Sequence, residues 1–154
     1  MAWIALSFVV ALVLDTVSLG PVLQPYNPPW TLLVLIYWCW IVPSRVGMFT
    51  GFCVGVMLDT LGGGVLGVHA LGAAFIGYLA HLLRPVFSTA SLSQQAVVVW
   101  GLVLVYRAVV GWIQGLFGPT SLGMTYWLST LVVLFAWPII YTLIKELLPI
   151  KRRV

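Results

Sequence analysis

The chain has 154 residues, of which 62% are apolar and only 6% charged, with a net charge of +4 and eight tryptophans. Soluble domains carry about 25% charged residues, so the composition excludes a water-soluble globular protein and predicts an all-α polytopic membrane protein. The positive charge does not point to nucleic acid, because six of the seven Lys and Arg fall in presumptive connections or at the C-terminus, where they report membrane orientation.

In chain order, six apolar segments are expected to span the bilayer, at roughly 2–22, 29–42, 46–62, 65–83, 95–117 and 124–144. No basic residue precedes the first segment and no A-x-A site follows it, so it reads as a retained span rather than a signal peptide. The breaks carry turn chemistry: PVLQPYNPP from Pro21, Pro43-Ser44-Arg45, the Gly62–Gly64 triplet, Arg84-Pro85 with a Ser/Thr run, and Gly118-Pro119. The second segment is short. It either tucks into the bundle, thins the bilayer locally, or extends past these boundaries. Residues 1–154 are expected to form one transmembrane domain with a short basic tail over 145–154.

Arg45, Arg84, Lys145, Lys151, Arg152 and Arg153 all fall on one side of this layout, and the opposite connections hold no Lys or Arg. By the positive-inside rule both termini are cytoplasmic. Arg45, Arg84, Lys151, Arg152 and Arg153 are then the candidate contacts with cytoplasmic lipid headgroups. Trp3, Trp40 and Trp137 are expected as anchors near the inner face, and Trp30, Trp112 and Trp127 nearer the outer one. Cys39 and Cys53 lie in apolar segments without a partner motif and are expected to serve packing.

The third segment places Gly47, Gly51, Gly55 and Asp59 at four-residue spacing, which puts three glycines and a carboxylate on one helix face. Such small-residue stripes let helices approach closely. His69, Ala73, Gly77 and His81 form a similar row, and Arg107 continues through Gly111 and Gly115. Gly47, Gly51, Gly55, Gly77, Gly111 and Gly115 are therefore the expected packing positions. Asp15, Asp59 and Arg107 alone interrupt the spans with charge, each about 12 or 13 residues from the cytoplasmic start of its segment, or roughly 18–20 Å deep. A charge there costs a few kcal/mol unless paired, on the order of the insertion-scale values. An Asp59–Arg107 ion pair is expected, with Asp15 and His69 as candidate further members. The alternative has Asp15 reaching the interface alone while Arg107 snorkels.

No His, Cys or carboxylate spacing suits a metal, no nucleophile stands beside a general base, and GGGVLG lacks the GK[ST] of a phosphate loop. The expectation is a protein without cofactor, metal or catalytic site.

NPPWTLLVLIYWCW, the PSRVG turn, GFCVGVMLDTLGGGVLGVHALG, IGYL, QQAVVV and WIQGLFG together resemble the rod shape-determining protein family MreD. The resemblance implies a bacterial inner-membrane protein acting with the single-span protein MreC. Alongside it would work the actin-like MreB, a RodA-type glycosyltransferase and a penicillin-binding transpeptidase in peptidoglycan elongation. It also implies a six-helix fold similar to the S components of vitamin transporters. Two function classes follow: a non-enzymatic scaffold or regulator of the rod complex, and a small-molecule-binding transporter subunit with Asp59, His69, Arg107 and the Gly62–Gly67 turn lining an outward-facing pocket.

Overall fold

The structure, a computed structural model, describes residues 2–17, 27–63, 65–117, 123, 126–127 and 129–147. The Pro21 connection up to Tyr26, most of the Gly118–Gly123 connection, and the tail residues Lys151, Arg152 and Arg153 lie outside the described residues.

Among the described residues all regular structure is helical: α1 (Ala2–Thr16), α2 (Trp30–Ile41), α3 (Met48–Gly62), α4 (Val68–Leu82), α5 (Arg84–Thr89), α6 (Leu92–Phe117) and α7 (Val132–Leu147), the last preceded by a 3₁₀ turn at Ser129–Leu131. Of these, α6 is long and apolar enough to cross a membrane by itself, and α1 to α4 are shorter apolar helices. At 1.5 Å per residue α6 runs about 39 Å and α2 only about 18 Å.

The short second segment is resolved by burial. Every residue of α2 from Thr31 to Trp40 is buried, so α2 is a central post wrapped by α1, α4 and α7 with smaller contacts to α3, α5 and α6. A helix apolar on all sides has to be enclosed or lie in lipid, and here protein encloses it.

The outer helices divide differently. On α7, Val133, Ala136, Trp137 and Ile140 are buried while Phe135, Ile139 and Leu143 are exposed. On α3, Gly51, Val54, Gly55 and Asp59 face inward, and Met48, Phe49, Phe52 and Met57 face outward. Trp3, Leu6, Val9, Val10 and Val13 of α1 and Leu71, Phe75, Tyr78 and Leu82 of α4 continue this apolar exterior. Water penalises such a surface. Lipid does not.

Two tryptophan assignments change. Trp40 and Trp137 are buried rather than placed as interface anchors. The Trp40 ring stacks on Phe87 of α5 and meets Trp137 edge-on at 5.3 Å, and its Nε1 donates to the Ala80 carbonyl at 2.7 Å. This aromatic knot joins α2, α4, α5 and α7 at one end of the bundle. Trp3 and Trp112 are exposed, Trp127 is more than a third exposed, and Trp30 is half-buried. Cys39 packs in the core as expected, but Cys53 is exposed on the outer face of α3.

Candidate functional site

The α3–α4 contact is the most extensive in the protein, and glycine makes it possible. A Cβ built on Gly51 would collide with the carbonyl of Ala73, and one on Gly55 with the backbone of His69 and Ala70. A Cβ on Gly77 would stand 2.9 Å from the Gly47 carbonyl oxygen. The two helices thus run antiparallel with backbone against backbone, the stripe on α3 facing Ala70, Ala73, Ala74 and Gly77, all buried. Gly47 contributes through its carbonyl alone, since nothing lies within 4 Å of its own Cβ direction. Gly111 is buried in α6, whereas Gly115 is exposed. His81, expected on the contact row, is exposed as well.

Asp59 stands one turn before the end of α3, 2% exposed. Its Oδ2 accepts the backbone N–H of Gly67 at 2.8 Å and of Ala70 at 3.2 Å. Its Oδ1 accepts that of His69 at 3.0 Å. These are amides at the start of α4, which have no partner within their own helix. A carboxylate at a helix N-terminus is favoured by hydrogen bonding and by the helix dipole. The His69 ring adds a contact from Nδ1 to Oδ1 at 2.8 Å. The turn between the helices relies on Gly63 and Gly67, whose φ values of 62° and 101° lie in the left-handed region that favours glycine.

Asp15 repeats the device one hairpin earlier. From the last turn of α1 it accepts the N–H of Trp30 and of Thr31, each at 2.9 Å, at the start of α2. Asn27 supports the junction, donating to the Leu14 carbonyl at 3.4 Å and accepting the Trp30 indole N–H at 2.7 Å.

Arg107 performs the converse task. Its Nη1 donates to the Tyr126 carbonyl at 2.9 Å, its Cζ lies 4.7 Å from the Tyr126 ring centroid, and the Tyr126 hydroxyl donates to the Arg107 carbonyl at 3.1 Å. The expected Asp59–Arg107 ion pair is therefore not formed among the described residues, and Asp15 joins no such pair. Each charge instead serves backbone groups in or beside the connection that follows its own helix. Backbone dipoles freed at helix ends outcompete a distant opposite charge because they are already in place.

The charges nonetheless gather at one end of the bundle. The Tyr106 phenol, on a 6%-exposed residue of α6, lies within electrostatic reach of Asp15, Asp59 and Arg107, and its ring is 6.3 Å from that of His69. Tyr106 also packs on α4, where a Cβ at Gly72 would lie 3.0 Å from its Cε2. Arg45, in the connection before α3, and Arg84, the first residue of α5, are exposed at the other end. Among the described residues no three His, Cys, Asp or Glu side chains group as metal ligands.

Sequence reasoning passed over the aspartates' capping role and the buried Gln95, whose Nε2 donates to the Ala90 carbonyl at 3.1 Å and ties α5 to α6. Beside it Gln94 accepts the Ser91 N–H at 3.0 Å. The Ser-x-x-Gln spacing of a capping box signals that second bond in the sequence.

Comparison with known proteins gives a consistent result. The family model described as rod shape-determining protein MreD matches residues 1–147. A protein of Haemophilus influenzae named rod shape-determining protein MreD is 26% identical over 147 residues, covering 96% of this chain and 89% of the relative. No solved structure matches.

Proposed function

Because the chain belongs to the MreD family of bacterial membrane proteins that determine rod shape, we propose that it is a non-enzymatic scaffold and regulator of the rod complex in the inner membrane. In this reading α1, α2, α3, α4, α6 and α7 form one six-span domain over residues 1–154, similar to the S-component fold, with both termini cytoplasmic. The end bearing Arg45, Arg84 and the tail faces the cytoplasm, and there Lys151, Arg152 and Arg153 meet anionic headgroups. The end bearing Asp15, Asp59, His69 and Arg107 faces outward. The family match over 147 residues carries the proposal. The apolar exterior of α1, α3, α4 and α7 supports the membrane setting.

A scaffold of this kind acts through helix faces and short connections. Its partners are an MreC-like single-span protein and, directly or through it, MreB, a RodA-type glycosyltransferase and a penicillin-binding transpeptidase. The close α3–α4 pair and the capped connections give it a fixed outward end on which a periplasmic partner can register. The test is purification at native level in gentle detergent, with mass spectrometry of what travels with the protein. Recovery of an MreC-like protein and a wall transpeptidase is the expected result. Recovery of transporter ATPase subunits or a stoichiometric metabolite would overturn it.

A further inference from the structure

The short helix α5 is held to the bundle by little. Of its six residues only Phe87 is buried, and Arg84, Pro85, Val86, Ser88 and Thr89 are exposed. The Ser88 and Thr89 hydroxyls donate to the Pro85 and Val86 carbonyls within α5 itself. A groove of about 460 Å³ lies between α5 and α6, lined by Val86, Thr89, Ala90, Gln94, Val97 and Val98. One anchor is the Phe87 ring, stacked on Trp40 and edge-on to Trp137 at 5.9 Å. The other is the Gln95 carboxamide, whose Nε2 donates to the Ala90 carbonyl at 3.1 Å and to the Phe87 carbonyl at 3.4 Å. Leu83, between α4 and α5, has φ −82° and ψ 0°, and Ala90, after α5, is extended at φ −78° and ψ 143°.

Each anchor borders an unmatched polar atom. The Trp137 indole Nε1–H is a buried donor and Gln95 Oε1 a buried acceptor, and neither has a hydrogen-bond partner among the described residues. Thr31 Oγ1, a third such atom, belongs to the other end of the bundle, where Asp15 accepts the Thr31 N–H. Native interiors rarely leave such groups unpaired, because each loses its hydration without return. The donor and the acceptor stand close to level. α6 and α7 run antiparallel, since Arg107 reaches the Tyr126 carbonyl and the Trp100 indole donates to Thr130 Oγ1 at 3.1 Å. From that second contact, five residues back along α6 lead to Gln95 and seven forward lead to Trp137. At about 1.5 Å per residue the two steps differ by only about 3 Å. Two groups that would satisfy each other thus stay unpaired while Phe87 is docked beside them.

We propose that α5 is a two-state strap: hinged at Leu83 and Ala90, it swings Phe87 out of the aromatic knot, and the Trp137 indole then donates to Gln95 Oε1. Docked, the strap gains ring stacking on Trp40 and leaves two orphaned groups. Released, it gives up the stacking and pairs them. Opposed gains of this kind hold two packings of one sequence close in free energy. The Ala90 bond to Gln95 Nε2 sits at the hinge and is kept in both states. A partner that grips the exposed face of α5 shifts the population toward the released one. The device does not depend on which side of the membrane this end meets.

The experiment uses the full chain in mixed micelles with nitrogen-labelled indoles read by NMR, the Trp137 signal being assigned by its loss in Trp137→Phe. In wild type that N–H is expected upfield, as for an indole without an acceptor. Phe87→Ala empties the knot and should move the signal downfield as the bond to Gln95 forms. Adding Gln95→Met to Phe87→Ala should return it upfield, while Gln95→Met alone leaves it in place. A wild-type N–H already downfield and unmoved by Phe87→Ala would overturn the proposal. So would a downfield shift that survives Gln95→Met, which would mark water or another group as the acceptor. Amide exchange keeps the test decisive if Phe87→Ala folds poorly. In wild type the Phe87 and Thr89 amides should exchange at least about tenfold faster than those of α2. Thr89→Leu fills the groove and should slow them roughly tenfold. Equal protection of α5 and α2, or no slowing by Thr89→Leu, would overturn the strap.

Discussion

Replacing Asp59 by Ala removes the acceptor of three backbone donors, Gly67, His69 and Ala70, at 2.8, 3.0 and 3.2 Å. Each buried donor left unsatisfied costs about 1–3 kcal/mol. The Gly67 amide lies on a half-buried residue and regains some solvation, so the expected total is about 3–6 kcal/mol rather than the full sum. Asp59→Asn keeps one carbonyl oxygen and should lose about 1–3 kcal/mol. His69→Ala deletes the ring contact but leaves all three backbone bonds, and should lose no more than about 1 kcal/mol. The assay is unfolding in mixed micelles followed by circular dichroism, with amide exchange at residues 67–70 as the local readout. The ordering Ala worse than Asn, and Asn worse than the His69 variant, is the diagnostic. A loss below about 1 kcal/mol for Asp59→Ala, or unchanged exchange at those amides, would refute the assignment of Asp59 as the cap of α4.

Asp15→Ala strands two amides rather than three, so it should destabilise by about 2–4 kcal/mol in the same assay, with faster exchange at residues 30 and 31. Gly55→Ala places a methyl against the backbone of Ala70 and should cost more than about 2 kcal/mol, as overpacking does. Gly47→Ala, with nothing within 4 Å, should stay near zero. Exchanging the charges, Asp59→Arg with Arg107→Asp, should rescue neither single variant, because each parent side chain holds different backbone groups; rescue in a rod-shape complementation assay would restore the ion-pair idea. Phe87→Ala unstacks Trp40 and should lower stability by about 3–5 kcal/mol, measured by denaturation in micelles.

The all-helical architecture and the close-contact face of α3 were legible because they depend on composition and spacing, whereas the short α5 was not foreseen. Gly51 and Gly55 recur at one turn, and a helix has no other way to place them than on one face. The gathering of Asp15, Asp59 and Arg107 toward one end of the bundle was legible for the same reason. Their partners were not. Opposite charges at equal depth suggest each other, but sequence spacing does not reveal that a hairpin connection presents bare amides closer still. The Trp40 and Trp137 positions failed through a similar gap. Tryptophan near a span's end fits both an interface and a core, and only the arrival of Phe87 from α5 decides between them.

The enclosure of α2 bears on how the chain is made. On the six-span reading proposed above, α2 would leave the insertion machinery with α1 and meet lipid on the sides that α4 and α7 later cover. Its Trp38 indole finds Ser7 at once, 31 residues back. The Trp40 indole waits for Ala80, 40 residues on, and its aromatic neighbours Phe87 and Trp137 come later still. On that reading biogenesis would pass through a half-synthesised intermediate whose future centre is its periphery. Docking of α7 against α2 would then close the bundle, and a truncation before α7 would leave α2 facing the bilayer on one side.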